Sequence, residues 1–276
     1  MAAIVSEDAV AQPSGDEREV GSGGPSRHPA PLPFFLLVFL LSFPIWLISG
    51  LAGRPAFNTV GVICPLLAAL ILTGQGGVPG VERGSLRKAF LRRAVDHQRI
   101  RPRIWYVPIL LLMPTVMVLS FLTMRAMGTE VPLPRVTVWM TVALFLASLF
   151  AAAGEELGWM GCAFHPMEER WGALKAGLAL GVTWAVWHYV PYLEADRSLE
   201  WIAWQTLFMV ATRVLIVWVF VHTGRSVFGA ILFHAVSNVC VYLFPEFGSS
   251  YDPMIAGVIT AMIAAGVVMR WKPDRR

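Results

Sequence analysis

Eight uninterrupted apolar runs dominate this sequence, at about 33–53, 56–74, 104–124, 136–160, 174–192, 201–221, 226–245 and 253–270. Each approaches the ~20 residues that an α-helix needs to cross a bilayer. The runs are continuous rather than alternating, which excludes a transmembrane β-barrel. Inside hydrocarbon, every backbone polar group must be satisfied within its own segment, so runs of this kind form helices. Only 14% of the residues are charged, against about 25% in a typical soluble domain. A water-soluble globule of this length is therefore excluded. The expectation is an all-α, polytopic transmembrane helix bundle of about eight spanning helices, embedded in a lipid bilayer. Residues 1–32 carry no packable run and read as a disordered tail. Residues 33–272 read as a single membrane domain.

The formal charge of +4 does not point to nucleic acid, because the basic residues sit in short blocks between apolar runs. Loop 75–103 alone holds Arg83, Arg87, Lys88, Arg92, Arg93, Arg99, Arg101 and Arg103. Placing it in the cytoplasm and alternating outward sends Arg170, Lys175, Arg225 and Arg270 to the same side. Arg54, Arg125, Arg135 and Arg197 fall on the other side, together with Glu194, Asp196, Glu200, Glu246 and Asp252. Both termini are then cytoplasmic, in a multi-pass protein of the cell membrane. Cys64, Cys162 and Cys240 lie in or beside apolar runs without CxxC spacing, so they read as buried packing residues.

Few ionisable residues remain within the spans: Glu155, Glu156, His188, Arg213 and His234, with His222 at an edge. A charge in the hydrocarbon region is costly, so such residues face the bundle interior and take partners. At 1.5 Å per residue, Glu155, His234 and Arg213 fall roughly 12–16 Å from the cytoplasmic ends of their helices, and His188 roughly 20 Å. Four spans thus place polar groups in one slab. Trp184 and His188 share a helix face, as do His234 and Asn238. Glu155 and Glu156 point about 100° apart and cannot aim at one point. Gly154, Gly158, Gly161, Gly177 and Gly181 allow close helix approach around them. A carboxylate, two imidazoles and an amide suit hydrolysis in two ways. A glutamate can act as general base on water while imidazole and amide stabilise the oxyanion. Alternatively, Glu and two His can hold a zinc ion that activates the water. A membrane transporter and a catalytically silent scaffold are the rival readings.

The segments around these residues resemble a known family. Glu155-Glu156-Leu157-Gly158-Trp159-Met160-Gly161 is similar to the EExxxR segment of the CAAX prenyl endopeptidase and bacteriocin-processing (CPBP, or Abi) intramembrane proteases. Trp184-Ala185-Val186-Trp187-His188 resembles its FxxxH segment, and His234-Ala235-Val236-Ser237-Asn238 its HxxxN segment. The three stand in the family's order across about 140–245. The resemblance implies an intramembrane metallo-endopeptidase acting on membrane-associated peptides or proteins. It makes Glu155 the catalytic base and Glu156 its support. His188, His234 and Asn238 then bind water, metal or oxyanion, so that Glu155, His188, His234 and Asn238 form the implied ligand set for a divalent metal, zinc first. Two residues depart from the pattern. Trp184 replaces the motif phenylalanine, and Met160 stands where the motif has arginine. An arginine there would pair with Glu156 along the helix. Arg213 is the expected substitute partner, since it too needs an opposite charge at that depth.

Overall fold

The computed structural model describes residues 31–75 and 83–271. Among them, the eight predicted spans are all helical. They are α1 (Pro31–Ala52), a 3-10 segment Pro55–Ile63 leading into α2 (Cys64–Gln75), and α4 (Tyr106–Ala126). Next come α5 (Val138–Gly158) and, beyond α6 (Phe164–Trp171), the pair α7 (Ala173–Trp187) and α8 (Tyr189–Glu194). The last three are α9 (Leu199–His222), α10 (Val227–Leu243) and α11 (Pro253–Arg270). Six of these segments are long and apolar enough to cross a membrane, and α10 is a shorter apolar helix. Pro31 and Leu32, read from composition as tail, open α1; the rest of the expected tail lies outside the described residues.

Helix starts follow local chemistry. Thr137, Ser198, Ser226 and Asp252 precede α5, α9, α10 and α11, and each side chain accepts a hydrogen bond from the first turn. These bonds satisfy backbone N–H groups that have no partner inside the helix. The span containing Glu155 does not stop at its predicted end. It passes through a π-turn at Trp159–Ala163 into α6. The span containing His188 breaks at that residue, which caps α7 with φ −85° and ψ −6° before α8 begins.

Glycines set the tightest crossings. A Cβ on Gly154 would stand 2.6 Å from the Val62 carbonyl oxygen, and one on Gly158 would stand 2.5 Å from Pro65. Only hydrogen fits there, so α5 can lie directly on the Pro55–Ile63 segment and α2. Gly181 presses in the same way against Val210 and Arg213 of α9. Among the six long apolar segments α9 is the most buried, and it packs against both α7 and α11.

The two ends of the bundle differ. At one end, a helical segment over 83–99, formed by α3 (Arg83–Leu91) and two short 3-10 turns, is clamped to the core. Arg93 donates to the carbonyls of Gly161 and Arg225, and Arg99 to that of Gly224. Asp96 accepts from Ser226 Oγ and from the backbone N–H groups of Val227 and Phe228. Here too, Trp105, Trp218 and Trp271 surround His222, which stacks on Trp105 with centroids 5.0 Å apart. His222, at the edge of its span, is therefore held in an aromatic box. At the opposite end, Glu194 accepts from Ser49 Oγ at 2.5 Å and Asn58 Nδ2 at 2.8 Å, tying α8 to the α1 turn.

Candidate active site

The polar residues singled out from the sequence meet in two groups that share one tryptophan. Glu156 is the inner carboxylate and is fully buried. Its Oε2 accepts from Arg213 Nη1 at 2.6 Å and its Oε1 from His234 Nδ1 at 2.8 Å. Arg213, also fully buried, comes from α9 and reaches the carboxylate that Met160 cannot serve. Met160 itself is buried among apolar side chains just past the end of α5. Arg213 lays its guanidinium over the Trp184 ring at 4.4 Å from the centroid, a cation–π contact strengthened by the burial of both groups. Its Nε and Nη2 have no hydrogen-bond partner among the described residues. The cation therefore depends on Glu156 and the indole face.

Glu155 points elsewhere, as the 100° step per residue requires. It lines a cavity of about 960 Å³ with His188, His234, Ser237 and Asn238. Its Oε2 accepts from the Trp184 indole N–H at 2.6 Å. This bond was not legible in the sequence, where Trp184 read only as an aromatic replacement for phenylalanine. Phenylalanine has no N–H to offer. Trp184 also meets both imidazoles edge-on, with centroids 5.5 Å from His188 and 5.1 Å from His234. It thus holds Glu155, Arg213 and both imidazoles in one arrangement.

Both histidines have a defined tautomer in the neutral state. His188 Nδ1 donates to the Trp184 carbonyl oxygen at 2.9 Å, because a carbonyl can only accept. His234 Nδ1 donates to Glu156 in the same way. Each neutral ring then leaves Nε2 as a free acceptor. His188 is further fixed between Trp187 and a stacked Tyr192. It stands at the break between α7 and α8. Asn238, one turn beyond His234, lines the same cavity and is half-buried.

Glu155, His188, His234 and Asn238, the expected ligand set, line this one cavity. Among the described residues, no three His, Cys, Asp or Glu side chains are placed to hold one ion. One carboxylate oxygen of Glu155 is engaged by an indole N–H, and Glu156 is consumed by Arg213 and His234.

Removing the Trp184 N–H tests how strongly Glu155 is positioned. Trp184→Phe keeps the ring packing but deletes a hydrogen bond to a charged group, worth about 1.5–3 kcal/mol. The expected result is a lower thermal midpoint in detergent for Trp184→Phe than for the parent, with the helical content unchanged.

Comparison with known proteins agrees with this geometry. Residues 137–240 match a family model described as Rce1-like, type II CAAX prenyl endopeptidase Rce1-like. The matched stretch contains α5, α7, α9 and most of α10, the helices that carry the site. The chain is also 24% identical over 229 residues to CAAX prenyl protease 2 of Methanococcus maripaludis, an alignment covering 75% of this chain and 82% of the relative. The kinship with the CPBP proteases read from the EExxx, WxxxH and HxxxN segments is borne out.

Proposed function

We propose that a chain with this kinship and this cavity is an intramembrane endopeptidase in which Glu155 is the general base. The observation that carries the reading is the meeting of Glu155, His188, His234 and Asn238 on one cavity, with Glu156 held out of it by Arg213. A water molecule beside Glu155 donates one proton towards its carboxylate and the other to an imidazole Nε2. The water oxygen attacks the peptide carbonyl carbon while Glu155 takes up the first proton. The oxygen of the carbonyl gains negative charge, and the Asn238 amide is the N–H donor placed to stabilise it. The C–N bond then breaks, and Glu155 passes its proton to the departing amine. Glu156 and Arg213 are positioning residues. They fix the His234 ring through Nδ1, much as a carboxylate orients the histidine of other hydrolytic sites.

The cavity wall is mainly apolar, with Val62, Ile63, Phe208 and Met209 among its lining residues. Such a wall accepts an extended apolar peptide better than a polar one. The test is cleavage by the purified protein in liposomes, with membrane peptides as substrates and H2¹⁸O as solvent. The expected product is a new C-terminus carrying one ¹⁸O atom, formed equally with and without chelator. A rate lost on chelation and restored by zinc would mean that the donors rearrange around an ion. No new termini from any peptide would overturn the endopeptidase reading.

A further inference from the structure

We propose that the outer face of the 83–103 segment is a docking surface for anionic phospholipids, whose headgroup phosphates sit among its unpaired cations. The proposal stands apart from the endopeptidase reading and from the cavity.

The segment carries eight Lys and Arg residues and a single acidic one, Asp96. Asp96 is already engaged. It accepts from Ser226 Oγ and from the Val227 and Phe228 N–H groups, and it lies 3.9 Å from Arg93 and 3.7 Å from Arg99. Arg93 and Arg99 also donate to carbonyls of the core, so these two hold the segment in place. Arg87, Lys88, Arg92, Arg101 and Arg103 are different. All five are exposed. Among the described residues, none of the five has a carboxylate within ion-pair distance.

The apolar side chains beside them fall into an inner and an outer pair, each at i, i+4 spacing. Phe90 and Ala94 are seated against the core. Leu91 and Val95 stay 43% and 62% exposed, and Ile104, next to Arg103, stays 65% exposed. A face that joins bare cations to uncovered apolar side chains is poorly served by water alone. At a bilayer surface the apolar groups reach the acyl boundary, while the long basic stems keep their charges at the headgroups.

The clamps put this face at the right depth. Asp96 caps the first turn of α10, and Arg99 reaches the Gly224 carbonyl just past the end of α9. The segment therefore lies where spanning helices end. Trp105, Trp218 and Trp271 gather around His222 at the same end, as tryptophans do at a membrane interface. The anions available at that depth are lipid phosphates. Phosphatidylcholine cancels its phosphate with its own trimethylammonium, whereas phosphatidylglycerol presents a net negative charge that basic residues attract.

The test reads lipid selection at the surface itself and needs no catalysis. Cys64, Cys162 and Cys240 are replaced by alanine. A fluorophore is attached at Val95→Cys or, as a control on exposed α11 surface, at Val258→Cys. Each protein is reconstituted in mixed phosphatidylcholine and phosphatidylglycerol, with a nitroxide on the acyl chains of one lipid at a time. Quenching at Val95→Cys is expected to favour phosphatidylglycerol by about 5-fold or more, the factor one basic residue near a membrane surface supplies. Val258→Cys should show no preference. Changing Arg87, Lys88 and Arg92 together to glutamine should abolish the preference, and about 1 M salt should weaken it. Equal quenching by the two lipids at Val95→Cys overturns the proposal. So does a preference matched at Val258→Cys, or one kept by the glutamine variant. Should the alanine background fail to accumulate, the unaltered chain in detergent gives a second readout. Phosphatidylglycerol is expected to raise its thermal midpoint more than phosphatidylcholine or inorganic phosphate at the same concentration. An equal rise with either, or no rise, overturns the proposal.

Discussion

Arg213→Met is expected to lower the stability of the bundle by about 3–5 kcal/mol, the range seen when one partner of a buried ion pair is removed. Methionine fills much of the arginine's space, so the loss is electrostatic rather than a cavity. Glu156 would keep only the His234 N–H, in an interior where no water can replace the guanidinium. A loss of this size is a large part of the 5–15 kcal/mol that holds most folds together. The variant should therefore show a markedly lower thermal midpoint in detergent. Adding Glu156→Gln to Arg213→Met removes the stranded charge. The double variant should recover most of the midpoint, because well-packed neutral groups often match a buried ion pair. Its activity should stay low, since the carboxylate that fixes His234 is gone. Equal midpoints for Arg213→Met and the parent would show that Glu156 does not depend on Arg213.

The Arg213–Glu156 pair also illustrates how much of this protein was readable before its structure. Scarcity made it so. With charges confined to loops, an arginine within one span and two glutamates within another had few candidate partners. The missing motif arginine at Met160 narrowed them further. The all-α bundle was likewise legible, with six of the eight apolar runs long enough as helices to cross a membrane, because hydrocarbon demands long continuous apolar runs. What the runs could not show were the interruptions. The π-turn at Trp159–Ala163 and the break at His188 lie inside apolar sequence and leave no polar signature. The break at His188 stands just ahead of Pro191, which has no N–H for the Trp187 carbonyl and crowds it. The indole bond to Glu155 was hidden for a related reason. A tryptophan in an apolar run reads as packing, and only the facing helix reveals that its N–H has an acceptor.

The second large effect concerns Glu155. Glu155→Gln keeps the size of the side chain, and its amide oxygen can still accept from Trp184 N–H. The bundle should fold as before, with a thermal midpoint close to that of the parent. The amide cannot take a proton from water, and general-base catalysis contributes about 10²–10⁴-fold. The expected loss in kcat is about 1,000-fold or more, with KM little changed. Glu156→Gln should behave differently. It weakens both the fold and the orientation of His234, so midpoint and rate should fall together. The division of labour between two adjacent glutamates is the centre of this account, and one paired measurement tests it: cleavage rate and thermal midpoint of Glu155→Gln beside the parent, on the same peptide in the same liposomes. The account predicts cleavage reduced to background with the midpoint unchanged. Parent-like cleavage by Glu155→Gln would contradict it.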